Sequence, residues 1–330
     1  MFKNKVILIT GGTGSWGNEL TAQLLKKDPK EIKIFSRGEF AQVVMQRKFN
    51  DPRLNFVIGD IRDLDAISRS CRNVDYIFHL AALKHVPICE EQPEEAIKTN
   101  ITGTTNLIKA SIDNQVEKVI DVSTDKAVDP LNLYGMTKSV GEKLIIQANN
   151  LGGKTRFVCI RGGNVLGSNG SVVPYFIDQI KQYNRLQLTD KHMTRYFLTI
   201  HDAISLLFKA ADRSIGGETF VMHMPACYIL DIAKVLIDHY GKKDTKIKEI
   251  GMRPGEKIDE VLISRYEALN SHVYDKNYYL ILPTLKINGL EAHYKKMKLK
   301  KVGFEEYNSS QEIMNIKQVE AMLNKGGFIQ

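Results

Sequence analysis

No apolar run in this 330-residue chain approaches the ~20 residues that a membrane-spanning helix needs. Cysteine is scarce as well. The four present, Cys71, Cys89, Cys159 and Cys227, lack metal-ligand spacing and fall in apolar or helical surroundings. They are expected to be buried, reduced thiols rather than ligands or disulfide partners, so no metal centre is expected. A secretory leader has no room, because the strand-like KVILIT begins at Lys5; a soluble, cytoplasmic protein is the expectation. Internal repeats and low-complexity segments are missing, which excludes solenoids and disordered linkers. Acidic residues do not balance the basic ones: 46 Lys and Arg against 38 Asp and Glu leave a net charge of +8. The cations are scattered and not interleaved with aromatics, which argues against nucleic acid as a partner. An anionic small-molecule substrate accounts for the excess, and so does a basic surface with no partner. The run YKKMKLKK (294–301) reads as a solvated helix face.

What is present is a regular alternation. KVILIT (5–10), EIKIF (31–35), LNFVI (54–58), DYIFHL (75–80), KVIDVS (118–123) and RFVCI (156–160) read as buried parallel strands. Amphipathic helical stretches separate them at 18–27, 64–72 and 95–114. Such a pattern predicts an α/β fold, a Rossmann-type doubly wound parallel sheet with ligands at the carboxyl ends of its strands. After residue 165 the alternation breaks down. GSNGSVVPYF opens an irregular segment, followed by helical patterns at 202–213 and 230–240. Residues 1–165 are therefore expected to form a dinucleotide-binding domain. Residues 166–330 are expected to form mainly a smaller substrate lobe, interleaved with the last sheet elements.

TGGTGSWG (10–17) lies between the first strand and its helix. Gly11 permits a tight turn, Gly14 lets backbone amides approach a pyrophosphate, and Gly17 allows close helix–strand packing. Thr13, Ser15 and Trp16 complete this candidate cofactor loop. The second strand ends at Ser36 and Arg37, where an NAD enzyme usually carries an acid; an arginine suits a 2′-phosphate, so NADP is favoured. Glu39, two residues on, keeps NAD open. Asp60 and Ile61, after the third strand, are placed against the adenine, although Asp60 reads equally well as a helix N-cap.

Tyr134 and Lys138 stand one helical turn apart, so both side chains leave the same face. A neighbouring ammonium is expected to lower the phenol's pKa and make tyrosinate a usable base. Thr124, at the end of the fifth strand, is in position to hydrogen-bond the same substrate hydroxyl.

Together these features resemble the extended short-chain dehydrogenase/reductase superfamily. A narrower likeness lies in AALKHVP (81–87), KTNITGT (98–104), STDKA (123–127), LYGMTK (133–138), GSVVPYF (170–176), MTRYF (193–197) and RPGEK (253–257). With a weaker echo at EYNSS (306–310), these resemble the inverting UDP-N-acetylglucosamine 4,6-dehydratases of pseudaminic-acid and capsule pathways. The resemblance implies a three-part reaction on a UDP-N-acetylhexosamine: oxidation at C4, loss of water across C5 and C6, and hydride return to C6 with inversion at C5. The product would be a UDP-linked 4-keto-6-deoxy-L-arabino-hexosamine. Lys126 would be the C5 base and Asp125 the acid towards the C6 oxygen, with Lys lowered and Asp raised in pKa by desolvation. Leu80 and Ala81 would adjoin the cofactor. Lys84, Ser123, Asn164 and Val172 would hold the sugar nucleotide, and Thr189, Arg253 and Glu256 the uridine and diphosphate. Arg195 is a further diphosphate candidate, and His85 reads as structural. The family implies a homo-oligomer, a dimer or a hexamer.

Two positions depart from the family pattern. Gly162 in RGGN replaces a common tyrosine, and Asn169 in GSNG replaces a common arginine. Either marks drift or an altered partial reaction that makes or uses a 5,6-unsaturated sugar. A UDP-hexosamine 4-epimerase is a rival that would not need the Asp125–Lys126 couple. A non-enzymatic NADP sensor would not need Tyr134.

Overall fold

The computed structural model describes residues 1–167 and 171–329. Its first half is a strand–helix alternation: β1 (Val6–Thr10), α1 (Ser15–Leu25), β2 (Glu31–Ser36), α2 (Glu39–Phe49), β3 (Leu54–Ile58), α3 (Leu64–Ser70) and β4 (Tyr76–His79). There follow α4 (Val86–Glu91), α5 (Pro93–Ile97), a π-helical turn (Lys98–Thr102), α6 (Gly103–Asp113) and β5 (Lys118–Thr124). A 3₁₀ turn (Asp125–Ala127) leads into α7 (Leu133–Ala148), β6 (Arg156–Gly162) and β7 (Asn164–Val165). The second half contains α8 (Val172–Tyr183), β8 (Arg185–Leu188), β9 (Thr194–Leu198), α9 (Ile200–Arg213), β10 (Thr219–Met222), β11 (Ala226–Tyr228) and α10 (Ile229–Tyr240). It ends with β12 (Lys246–Glu249), β13 (Val261–Ile263), α11 (Arg265–Ala268), β14 (Ser271–Asp275), β15 (Tyr278–Ile281), α12 (Leu290–Met297), β16 (Lys300–Lys301), β17 (Tyr307–Asn308) and α13 (Ile316–Lys325).

Ten strands form the central sheet in the order β16-β14-β15-β10-β6-β5-β4-β1-β2-β3. The stretch from β10 to β3 is parallel, while β15, β14 and β16 add antiparallel strands at one edge. The continuous apolar runs of the sequence are explained by cover on both faces. Along β1, Val6 and Leu8 join one apolar cluster while Ile7 and Ile9 join another. Phe157 and Cys159 of β6 likewise oppose Val158 and Ile160. A third cluster lies apart from the sheet, with Phe176 and Ile180 of α8, Ile232 and Leu236 of α10, and Val319 and Leu323 of α13. All four cysteines are free and buried. Among the described residues, no helix is long and apolar enough to cross a membrane.

The helical stretch expected at 95–114 is continuous, with a π turn at Lys98–Thr102 joining α5 to α6. One expectation needed revision. Where irregularity was expected after residue 170, α8 is regular. Its Pro174 sits in the first turn, where a missing amide hydrogen leaves no intrahelical bond unmade.

One buried ion cluster ties the halves together. Arg161 of β6 bonds both oxygens of Glu142 on α7 (3.1 and 2.6 Å), both oxygens of Glu267 on α11 (3.0 Å each) and the Leu262 carbonyl (2.9 Å), which uses all five guanidinium N–H groups.

Candidate active site

Two cavities open at the carboxyl ends of the parallel strands. The larger, about 770 Å³, runs from Gly11, Thr13, Gly14, Ser15 and Trp16, past Ser36, Arg37, Asp60 and Ile61, to Leu80, Ala81, Ser123, Thr124, Tyr134 and Lys138. The smaller, about 320 Å³, is lined by Val172, Arg195, Arg253, Glu256 and Glu260 among others. Both share Lys84, His85, Lys126, Asn164 and Val165; Tyr134 and Lys138 line the larger alone, and Asp125 lines neither.

The glycine turn fits the pyrophosphate of a dinucleotide. Gly11 has φ +66°, and a Cβ there would stand 2.8 Å from the Ala81 amide nitrogen. A Cβ on Gly17 would stand 2.1 Å from the Gly12 carbonyl oxygen, so only glycine lets α1 pack this closely on the turn that leads into it. No side chain caps α1 and its first turn has no acid, which leaves the positive end of the helix for an anion. At the adenine end, Asp60 is no N-cap; that role belongs to Asp63, whose carboxylate accepts from the Ala66 amide at 3.0 Å. Asp60 instead grips the Arg62 backbone and guanidinium, and Arg62 in turn pairs with Glu95. The exposed Arg37 stands at the cavity edge.

At the other end, α7 brings up the reacting groups. Asn132 caps it by accepting from the Gly135 amide at 2.8 Å, and donates to the Gly255 carbonyl at 2.8 Å, which binds the RPGEK loop to the site. Gly135 is required by contact: a Cβ there would lie 2.1 Å from the Lys126 carbonyl oxygen. The π turn has a matching purpose, since its Asn100 bonds the Leu83 amide (2.8 Å), the Leu83 carbonyl (2.9 Å) and Thr137 (3.0 Å), fixing the ALKH loop against α7.

Tyr134 and Lys138 are both buried. Lys138 pairs with Asp121 of β5 at 3.3 Å, a partner that sequence reasoning missed. Its signal was a lone acid inside the apolar run KVIDVS. Burial pulls the Lys138 ammonium down, but Asp121, together with Tyr134, Cys159 and Glu142, outweighs it and holds the group above its ordinary value. The expectation of a lowered tyrosine is overturned in this site: burial pushes the phenol up, and Lys138, the Thr124 hydroxyl and Lys126 only partly offset it. Beneath them His79 is sealed between Thr10 (2.7 Å) and Thr104 (3.2 Å), and burial drives its pKa down to about 4.

The Asp125–Lys126 couple is no surface turn. Asp125 is fully buried, accepts from Thr124 at 2.9 Å and from the Lys126 ammonium at 3.1 Å, and leaves Oδ2 without a partner. Lys126 also pairs with Glu260 at 3.2 Å. A lowered Lys126 is therefore corrected too. Burial does pull it down, but Asp125 and Glu260 prevail and hold it charged, well above its ordinary value. Ser123 has a buried, unpartnered hydroxyl in the wall of the large cavity.

Other expected contacts divide. Lys84, Asn164, Val172, Arg253 and Glu256 line the cavities, and Glu256 also accepts from the Arg253 amide at 3.3 Å. Thr189 lies half-buried after β8 and lines neither cavity. Arg195 is spent internally on the carbonyls of Thr194 (2.7 Å), Ile258 (2.9 Å) and Lys257 (2.9 Å) and on Glu260 (3.4 Å). His85, read as structural, lines both cavities. Gly162 turns away from the cavities; a Cβ there would meet the Met222 sulfur at 3.2 Å and the Met224 sulfur at 3.8 Å, so methionine fills the space beside it. Asn169 lies outside the described residues. Among the described residues, no cluster of three or more His, Cys, Asp or Glu is placed to hold a metal ion.

A glycine turn under a helix, a buried Tyr-x-x-x-Lys pair and a second cavity beside it define a dinucleotide-dependent enzyme of the extended short-chain dehydrogenase/reductase class. The model of a family described as "Polysaccharide biosynthesis protein" matches residues 7–282. The "UDP-N-acetylglucosamine 4,6-dehydratase (inverting)" of Campylobacter jejuni subsp. jejuni is 44% identical over 290 residues, 87% of this chain and 85% of that one. A "UDP-glucose 4-epimerase" of Rickettsia bellii is 42% identical over 341 residues, 100% of this chain and 98% of that one. The X-ray structure of Pen from Bacillus thuringiensis superposes with a TM-score of 0.93 at 36% identity, covering 100% of both chains. The chain belongs to this polysaccharide biosynthesis family, together with the inverting UDP-N-acetylglucosamine 4,6-dehydratases.

Proposed function

We propose that this protein is an inverting 4,6-dehydratase acting on UDP-N-acetylglucosamine with NADP as its resident cofactor. The observation that carries the reading is the Asp125–Lys126 pair, 3.1 Å apart, in which Lys126 lines both cavities and the buried Asp125 is bonded to it. A 4-epimerase, the name borne by relatives of similar identity, has no use for a second acid/base pair. Arg37 at the adenine end supports NADP over NAD.

The Gly11–Gly17 turn, Arg37 and Lys138 would hold the cofactor, whose nicotinamide supplies the hydride acceptor for C4 and the donor for C6. Tyr134, acting as a tyrosinate that the Lys138 ammonium stabilises, takes the proton of the C4 hydroxyl and becomes a neutral phenol. The C4 ketone acidifies the C5 hydrogen. In the resting site Lys126 is an ammonium and Asp125 its carboxylate partner; moving one proton from Nζ to Asp125 gives a neutral amine and a neutral acid. Lys126 then takes the C5 proton while Asp125 gives its proton to the C6 oxygen, and water departs. Both groups return to their resting charges. The proton that Tyr134 removes balances the one delivered to the opposite face of C5. Lys84 and Arg253 supply cationic charge for the diphosphate.

The test separates these roles. Tyr134→Phe should show no transient absorbance of reduced cofactor on mixing with UDP-N-acetylglucosamine. Asp125→Asn combined with Lys126→Ala should still bind the sugar nucleotide and oxidise C4, but release no dehydrated sugar. Normal turnover by the double variant would remove the basis of the dehydratase reading.

A further inference from the structure

We propose that Glu260 is a positioning residue for the elimination step, the second arm of a carboxylate clamp that fixes the Lys126 ammonium. This rests on the dehydratase reading above. Glu260 is 2% exposed, its Oε1 lies 3.2 Å from Lys126 Nζ, and its Oε2 has no partner. An unpaired buried carboxylate oxygen is costly and survives where a function requires it. Two of the three N–H directions of Lys126 are thereby held, by Asp125 and Glu260, and its head faces both cavities.

The surroundings of Glu260 are built to hold it. Its amide donates to Ser309 Oγ at 2.9 Å, and its carbonyl accepts from the Ser309 amide at 2.9 Å. The Ser309 hydroxyl meets Thr194 Oγ1 at 2.6 Å, and Thr194 donates to Asp259 at 2.6 Å. Arg195 approaches Glu260 Oε1 with Nε at 3.4 Å, while the Ile258 and Lys257 carbonyls fix its other nitrogens. Three sequence stretches, MTRYF, the residues following RPGEK, and EYNSS, therefore converge on Glu260, Arg195 at its carboxylate and Ser309 at its backbone. None of Ser309, Thr194 and Asp259 lines either cavity, so a role in holding Glu260 accounts for them where substrate contact does not.

The charged and titratable groups facing Lys126 are Asp125 on its own turn, Tyr134 on α7, Arg195 on β9 and Glu260 before β13. Two anions and two cations make a balanced set. Removing the Glu260 charge leaves Lys126 beside Arg195 with a single carboxylate, so Nζ should lose its proton at lower pH.

The experiment uses the holoenzyme and follows enzyme-catalysed exchange of the C5 hydrogen of the UDP-linked 4-keto-6-deoxy-L-arabino-hexosamine in deuterium oxide. Exchange needs Lys126 but not hydride transfer. For Glu260→Gln the rate at the wild-type optimum should fall by about tenfold or more. The ascending limb of its pH profile should move down by about one unit. Glu260→Asp, which keeps the charge on a shorter arm, should lose rate while keeping the limb near its wild-type position. Retained dinucleotide in each variant shows that the fold is intact. Unchanged exchange and an unmoved limb in Glu260→Gln would overturn the proposal, as would equal limb shifts in both variants. If the wild-type protein makes no 4-keto sugar from UDP-N-acetylglucosamine, the dehydratase reading itself fails and the clamp with it.

Discussion

Single side chains show where charge is tolerated in this molecule and at what cost. His79, Asp121 and Lys138 are all buried beneath the cofactor end of the cleft, and the ion pair of the last two makes that burial sustainable. His79 has no carboxylate bonded to its ring; its partners are threonine hydroxyls, and burial keeps it neutral with a pKa of about 4 against an ordinary 6.5. An imidazole lowered in the fold binds its proton more readily when unfolded. Stability should therefore fall as pH drops from 6.5 towards 4, by on the order of 3 kcal/mol from this group. His79→Gln should flatten that part of the profile in urea titrations, and an unchanged slope would assign the acid sensitivity elsewhere. Asp121 was legible in outline, because an acid in an otherwise apolar strand has to be paired. The pKa directions of Tyr134 and Lys126 were not legible. Each depends on how burial weighs against neighbours, and Glu260, which joins Asp125 in raising Lys126, comes from a distant part of the chain.

At the scale of elements, the six parallel strands read from apolar runs correspond to β1 through β6 within a residue or two; β1, β4 and β6, buried on both faces, leave an unbroken apolar signature, while β3 at the sheet edge is only part-buried. The Gly11, Gly14 and Gly17 turn was equally readable. Two glycines with comparable jobs were not: Gly135 and Gly163 carry ordinary backbone angles, and their need arises only from what packs against them. A Cβ on Gly163 would stand 2.6 Å from Tyr196 Cβ and 3.4 Å from Asp125 Oδ2. Gly135 is the sharper test. Gly135→Ala would push α7 off the Asp125–Ala127 turn, since the added methyl falls 2.1 Å from the Lys126 carbonyl oxygen. Displacing a catalytic group by about 1 Å costs about a hundredfold in rate. We expect turnover to drop by about that factor with dinucleotide still bound, and near-normal turnover would show that the turn moves freely with the helix. The π turn inside the helix at 95–114 escaped sequence reasoning because it has no residue signature, and Asn100 declares its purpose only through the loop it bonds.

The whole molecule sets two cavities against one row of acid/base side chains, and the central claim is that this arrangement carries out a complete inverting dehydration. The fold class was readable from alternation and the reaction class from motif resemblance, but the meeting of the cavities at Lys84, Lys126 and Asn164 appears only in three dimensions. Gly162, whose departure from the family pattern raised the prospect of an altered partial reaction, faces two methionines rather than the cleft, which favours the complete reaction. The most direct measurement is proton NMR of the product formed from UDP-N-acetylglucosamine in deuterium oxide. We predict a UDP-linked 4-keto-6-deoxy-L-arabino-hexosamine with one deuteron at C5 and, from substrate labelled at C4, the label transferred to C6. A sugar altered only in configuration at C4, an accumulating vinyl proton signal of a 5,6-ene, or unreacted substrate would contradict it.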